Sequence, residues 1–168
     1  RSIKNISSTP NYTIDLDAGT FNIPIGNGFL FFFRGSRSTT NPFTTTTVPL
    51  AATMVAIGRL NAGTITFKDW FTPSSKLISY TAASPVGIKG FNLAGNPYAS
   101  AIDWDLYQTS SATTGIYGVN VSSTIYEMDP ITKNYAAYTA GSNGVGSASF
   151  VSNVISTGEG VFVMATAA

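Results

Sequence analysis

Short runs of β-branched and aromatic residues recur along this chain, each closed by Gly, Pro, Asn or Ser. That rhythm leaves no room for a long amphipathic helix. It suits many short strands joined by tight turns, because branched and aromatic side chains fit a pleated surface while Gly, Pro and Asn fit turns. The spacing predicts strands at Tyr12–Leu16, Gly28–Arg34, Thr53–Arg59, Thr64–Lys68, Lys76–Thr81, Ile88–Leu93, Thr124–Met128, Tyr135–Thr139, Ala148–Val151 and Gly160–Ala165. One weak helical candidate remains, Ala101–Gln108. Strands at this density point to an all-β fold, an antiparallel β-sandwich of jelly-roll-like kind. The 168 residues suit a single domain covering 1–168.

Three local features fit this pattern. Asp129-Pro130-Ile131-Thr132-Lys133-Asn134 lies between two strand-like runs. Asp and Pro initiate turns and Asn tolerates a left-handed backbone, so a hairpin is expected there. Leu60-Asn61-Ala62-Gly63 is expected to form a second hairpin. Phe29-Leu30-Phe31-Phe32-Phe33 is apolar on both faces, as in a strand covered on both sides. Ser36–Pro49 reads as a Thr-rich surface loop, and residues 141–146 as a second loop.

A faint internal repeat pairs Ile25-Gly26-Asn27-Gly28-Phe29-Leu30-Phe31 with Thr157-Gly158-Glu159-Gly160-Val161-Phe162-Val163. A phosphate-cradling glycine loop leads into a helix. Here both copies lead into apolar strands, so the glycines are read as turn and close-packing positions.

Composition narrows the chemistry further. There is no Cys and no His, which removes thiol nucleophiles, Ser–His catalysis, thiolate zinc and His-ligated metals together. Disulfides are excluded as well. Charged residues are only 10% of the chain and net charge is +1, which gives no electrostatic footprint for nucleic acid or an anionic membrane. No membrane-inserting segment is legible. Asp103 with Asp105 has the reach of a glycosidase carboxylate pair, but so has any Asp-x-Asp, and the chain has only eight acids, several of them (Asp69, Asp129, Glu159) in turn-like positions. The chain is therefore expected not to be an enzyme. It begins at Arg1 without Met and is expected to be a module excised from a larger secreted protein.

The most distinctive stretch is Gly90–Asp105, Gly-Phe-Asn-Leu-Ala-Gly-Asn-Pro-Tyr-Ala-Ser-Ala-Ile-Asp-Trp-Asp. Pro97 confines Asn96 to extended conformations, and the Asn side chain can bond nearby backbone. Asn96, Pro97, Tyr98, Asp103 and Trp104 are thus expected to build a structural corner. Two ligand readings stand beside that one. Tyr98, Trp104 and Trp70 could stack on sugar faces. Asp103 with Asp105, and Asp15 with Asp17, could offer pairs of oxygens to Ca²⁺ if each pair lies on one strand face. No other cofactor is expected.

Taken in order, these segments resemble a known module. The order runs from Gly26–Phe33 through Gly58-Arg-Leu-Asn-Ala-Gly63 and Gly90–Asp105. It continues with Thr124-Ile-Tyr-Glu-Met-Asp-Pro-Ile-Thr-Lys-Asn-Tyr135 and ends with Ile155-Ser-Thr-Gly-Glu-Gly-Val-Phe-Val-Met164. Together they resemble a β-sandwich module of large secreted and surface proteins of the Bacteroidota. In that family the module usually precedes the C-terminal sorting domain of the type IX secretion system. The resemblance spans about Asp17 to Ala165, with Asn96 to Asp105 its most specific part. Position 99 is Ala where the family often has Pro, and 157–159 read Thr-Gly-Glu where Gly-Gln is usual before the last Gly. The resemblance implies a secreted or cell-surface location and no catalytic residues. It implies a structural or adhesion role, with neighbouring domains of the same polypeptide as partners. The alternative is a carbohydrate-binding accessory module of a polysaccharide-degrading enzyme, with polysaccharide or surface glycan as partner.

Overall fold

A computed structural model describes residues 2–3, 13–14, 23–29, 58–67, 78, 80, 89–107, 120–129 and 132–167. These residues form an all-β, antiparallel fold with one helical turn at 104–107. Eight strands are present among them: β1 (Ser2–Ile3), β2 (Thr13–Ile14), β3 (Phe91–Gly95), β4 (Ile102–Asp103), β5 (Val121–Met128), β6 (Tyr135–Thr139), β7 (Val154–Ile155) and β8 (Gly160–Ala165). No helix among the described residues is long and apolar enough to cross a membrane.

The main sheet has the order β3-β8-β5-β6, and two small pairs, β1-β2 and β4-β7, stand beside it. The last strand in the chain is therefore an inner strand of the sheet. β8 bonds β3 through Phe91↔Met164 to Gly95↔Gly160, and bonds β5 at Ile125↔Val163 and Tyr126↔Phe162. Its sequence explains that position. Val161, Phe162 and Val163 are all buried, so both faces of the strand are covered.

Strand alternation sorts the side chains into two faces. One face carries Val161 and Val163 of β8, Ile125 of β5, and Ala136 and Tyr138 of β6. These form one cluster with Trp104 of the helical turn, Val151, and Ile155 of β7. Ile125 and Tyr138 are wholly buried. Burying a side chain like Ile125 stabilises by roughly 1.5–3 kcal/mol. The other face carries Phe91, Tyr126, Tyr135 and Phe162 in edge-to-face pairs with centroids 5.2–6.4 Å apart. Such pairs add about 0.5–1.5 kcal/mol each beyond area burial.

The hairpin between β5 and β6 forms where expected. Asp129 N–H donates to Asn134 O, and Lys133 N–H donates to Asp129 O. The left-handed residue is Lys133 (φ 64°) rather than Asn134. The Asp129 carboxylate meanwhile accepts from the Thr132 hydroxyl at 2.6 Å, closing the front of the turn. Strands at Tyr135–Thr139 and Gly160–Ala165 match their expected bounds.

Several expectations need correction. Ala148–Val151 is a turn, closed by Val151 N–H to Ala148 O, and the short strand comes later, at β7. Residues 58–67 hold no strand, so Leu60–Gly63 is not a hairpin connection. Phe29, expected inside, is 47% exposed. The rest of that Phe-rich run and Ser36–Pro49 lie outside the described residues.

The two glycine repeats converge on β3 from opposite sides. On one edge, Gly28 N–H donates to Leu93 O and Gly95 N–H to Gly26 O. On the other, Gly160 pairs with Gly95 in the sheet. The first glycine of each copy has a left-handed backbone, Gly26 at φ 87° and Gly158 at φ 73°. The second glycines differ in their surroundings. A Cβ at Gly28 would sit 2.6 Å from Leu93 Cγ and 2.9 Å from Ala94 O. A Cβ at Gly160 would meet nothing closer than 3.6 Å. Gly28→Ala is therefore expected to destabilise by about 1–3 kcal/mol, and Gly160→Ala by less than ~1 kcal/mol. Urea denaturation of the two variants checks this, and equal effects would contradict it.

Candidate functional site

The distinctive stretch starts at the end of β3 and turns at Asn96. This side chain is buried, and its carboxamide is fully used. Nδ2 donates to Ser100 O at 2.8 Å, Ile155 O at 3.0 Å and Ser156 O at 3.2 Å. Oδ1 accepts Tyr98 N–H at 2.9 Å, which closes an Asx turn over Pro97. The Asn96 backbone N–H donates to Glu159 O at 2.9 Å. One residue thus joins its own turn to the segment between β7 and β8. All peptide bonds among the described residues are trans.

The next two residues reach the other way. Pro97 O accepts from Asn61 Nδ2 at 2.7 Å, and the Tyr98 hydroxyl donates to Gly63 O at 2.7 Å. This contact explains the shape of residues 58–67. They dock on the Asn96–Tyr98 corner by side-chain bonds instead of pairing as a hairpin.

Asp103, Trp104 and Asp105 each hold a different element. Asp103 ends β4 and caps the helical turn, its Oδ1 accepting Asp105 N–H at 2.9 Å and Leu106 N–H at 3.4 Å. The same oxygen accepts Asn153 Nδ2 at 3.1 Å, next to β7. That bond from Asn153, with the two capping amides, holds the Asp103 carboxyl below its usual range despite some desolvation. Trp104 is buried, stacks on Tyr107 with centroids 4.9 Å apart, and donates its indole N–H to Ser123 O at 2.8 Å. Ser123 lies in the irregular part of β5, where the register against β8 shifts between Val121 and Ile125. Its carbonyl also accepts Ala140 N–H.

Asp105 grips the far end of β6. Both of its oxygens accept the Tyr138 hydroxyl, at 2.9 and 2.8 Å, and Oδ1 accepts Gly141 N–H at 2.8 Å. Gly144 N–H donates back to the Tyr138 oxygen. Burial first, and the Asp105 carboxylate second, push the Tyr138 phenol above its usual range. The neutral phenol is the form that donates, so this arrangement is stable at physiological pH.

The ligand readings meet this geometry as follows. Asp103 and Asp105 do not share a strand face, because Asp105 falls in the helical turn that the sequence only weakly suggested. Asp103 faces β7 and Asp105 faces β6. No group of three or more acidic, His or Cys side chains able to hold a metal occurs among the described residues. Of the three aromatic candidates, Trp104 is core, and Tyr98 is half-buried with its hydroxyl bound to backbone. Trp70, Asp15 and Asp17 lie outside the described residues.

Sequence reasoning passed over Asn153 and Glu127, and over Tyr138 as the partner of Asp105. Tyr138 is legible as the inward partner of Ala136 on β6. Glu127 is legible too, since it shares the phase of Ile125 on β5. Nothing in the sequence marks Asn153 as the partner of Asp103.

Comparison with family models, curated proteins and solved structures finds no match to this chain.

Two variants probe the corner. Asn96→Asp keeps an acceptor for Tyr98 N–H but cannot donate to the three carbonyls. It is expected to cost about 2–3 kcal/mol, as much as Asn96→Ala. Tyr138→Phe leaves Asp105 without its hydroxyl donor and is expected to cost ~1–3 kcal/mol. Equilibrium denaturation measures both. Wild-type stability in Asn96→Asp would show that the carboxamide donors carry nothing.

Proposed function

We propose that this chain is a non-catalytic structural or adhesion module of a secreted or cell-surface protein, a jelly-roll-like sandwich that spaces and supports neighbouring domains. The observation that carries this reading is how the polar groups of residues 96–105 are spent. The carboxamide of Asn96, the indole N–H of Trp104 and the carboxylate of Asp105 all bind other parts of the chain. A catalytic or ligand-binding loop keeps such groups aimed at an open cleft. Here the segment works as a joint between strands.

The resemblance carried by Asn96 to Asp105 and its flanking motifs supports the cellular setting, a surface protein of a type IX-secreting bacterium. The low charge and the abundance of Ser and Thr in the sequence fit an extracellular place. A fold without disulfides that must serve there depends on its internal hydrogen-bonded joints and its core.

The carbohydrate-binding alternative makes a contrary demand, an exposed set of coplanar rings. Affinity electrophoresis through gels containing soluble plant, algal and bacterial polysaccharides separates the two readings. The expected result is unchanged mobility in every gel. Retardation in one gel, abolished by Tyr98→Ala in a variant that still melts cooperatively, would replace the structural reading with the sugar-binding one.

A further inference from the structure

Asn-Gly occurs twice in this chain, at Asn27-Gly28 and at Asn143-Gly144. The structure gives the two pairs opposite surroundings. Asn143 and Gly144 are the central residues of a turn closed by Val145 N–H to Ser142 O at 3.1 Å. Both have left-handed backbones, at φ 54° and 77°, the signature of a type I′ turn. Asn143 is exposed, and its carboxamide has no hydrogen-bond partner among the described residues. The Gly144 N–H is held by one long bond, 3.2 Å to the Tyr138 hydroxyl.

Asn27-Gly28 is locked. Gly28 is buried, and its N–H donates to Leu93 O at 2.9 Å, beside the bridge that joins Asn27 to Ala94 of β3. The Asn27 carboxamide is turned onto Pro24 O. Asn120 is exposed and left-handed as well (φ 63°), but Val121 follows it, and that branched side chain shields its own nitrogen.

We propose that Asn143 is a self-modification site, converted in the folded protein to isoaspartate and aspartate, and that the conversion loosens the cover over the outer edge of β6. Gly144 has no Cβ to obstruct its nitrogen. That nitrogen gives its proton to hydroxide and attacks Cγ of Asn143. The new C–N bond closes a succinimide ring, the Cγ–Nδ2 bond breaks, and ammonia leaves with a proton from water. Water then opens the ring. Opening at the main-chain carbonyl leaves isoaspartate, with the chain running through Cβ and Cγ, and opening at Cγ leaves aspartate. The sum is amide plus water giving carboxylate plus ammonium, with no oxidant or reductant. The attack needs the turn to open first, because in it the Gly144 N–H points to Tyr138. The two bonds to break, at 3.1 and 3.2 Å, lie at an exposed loop tip, where opening costs least. At Asn27 the sheet edge itself would have to come apart.

The turn belongs to the segment that covers β6, an outer strand of the main sheet. Ser142 N–H donates to Thr139 O, Ser147 N–H to Ala137 O, and Ala137 N–H to Ser147 Oγ. These bonds occupy edge groups that would otherwise be open to pairing with another chain. Isoaspartate lengthens the main chain by one carbon between Ser142 and Gly144, so Ser142 and Val145 lose their register and the cover loses its anchor. Either product also adds a negative charge two residues from Gly141, whose N–H the Asp105 carboxylate accepts.

The test is incubation of the folded chain in mildly alkaline buffer, followed by peptide mapping with fragmentation that separates isoaspartate from aspartate. Asn143 is expected to convert roughly tenfold or more faster than Asn27, with isoaspartate in excess. In urea, where no structure distinguishes them, the two sites should convert at similar rates. In Asn143→Gly, which suits the left-handed turn and has no amide, ammonia release from the folded chain should lose most of its rate. The isolated isoaspartate form should lose hydrogen-exchange protection at the Ala137 and Ser147 amides while the β8 amides stay protected. An Asn143 that survives in the folded chain while the urea-unfolded chain converts would overturn the proposal. So would an Asn27 that keeps pace with it, or ammonia release undiminished in Asn143→Gly. Full protection of Ala137 and Ser147 in the isoaspartate form would overturn the link to β6.

Discussion

The Asn96 carboxamide is the interaction on which the described architecture hangs. It sits where β3 leaves the sheet, and it gathers carbonyls from its own turn and from the β7–β8 segment. Two N–H groups spread over three carbonyls form a joint that neither an acid nor an apolar side chain can copy. β3 and β8 are far apart in sequence yet adjacent in the sheet. Such pairings bring high loop-closure cost. A buried polar joint at the end of the pair fixes which residues meet, as well as stabilising them.

From this joint the chain runs straight into a second one. Asp103 fastens β4 beside β7, Trp104 fastens the irregular part of β5, and Asp105 fastens the end of β6. Within ten residues, one segment reaches both outer strands of the main sheet and the small β4-β7 pair. Its side chains are of the kinds found in active sites. The environment decides their use: with their hydrogen-bonding groups satisfied by backbone and neighbouring strands, they hold parts together.

Much of this was legible in the sequence, and the failures are instructive. β6 and β8 were readable because alternation and turn chemistry agreed there. Tyr135–Thr139 follows an Asp-Pro turn, and Gly160–Ala165 follows a left-handed glycine. Asn96 was readable as a corner because Pro97 restricts its backbone. Trp104 was ambiguous, since an aromatic beside two acids looks alike in a core and in a sugar site. The Asp103–Asp105 relation was misread because a strand period was carried one residue too far, into a helical turn. Leu60–Gly63 was misread because Asn and Gly signal turns whether they pair strands or dock a segment on a distant corner. Glu127 was visible only as an acid in an inward phase.

If the Asn96 to Asp105 segment is a structural joint, it must belong to the cooperative core. Native-state hydrogen exchange of Tyr98 N–H, Trp104 N–H and the Trp104 indole N–H measures this directly. Each is bonded inside the segment or to its neighbours. The expected result is exchange only through global unfolding, with opening free energies equal to those of the β5 and β8 amides. Exchange of these three protons by local opening, while β5 and β8 remain protected, would make the segment a mobile loop and contradict its role as the joint of the fold.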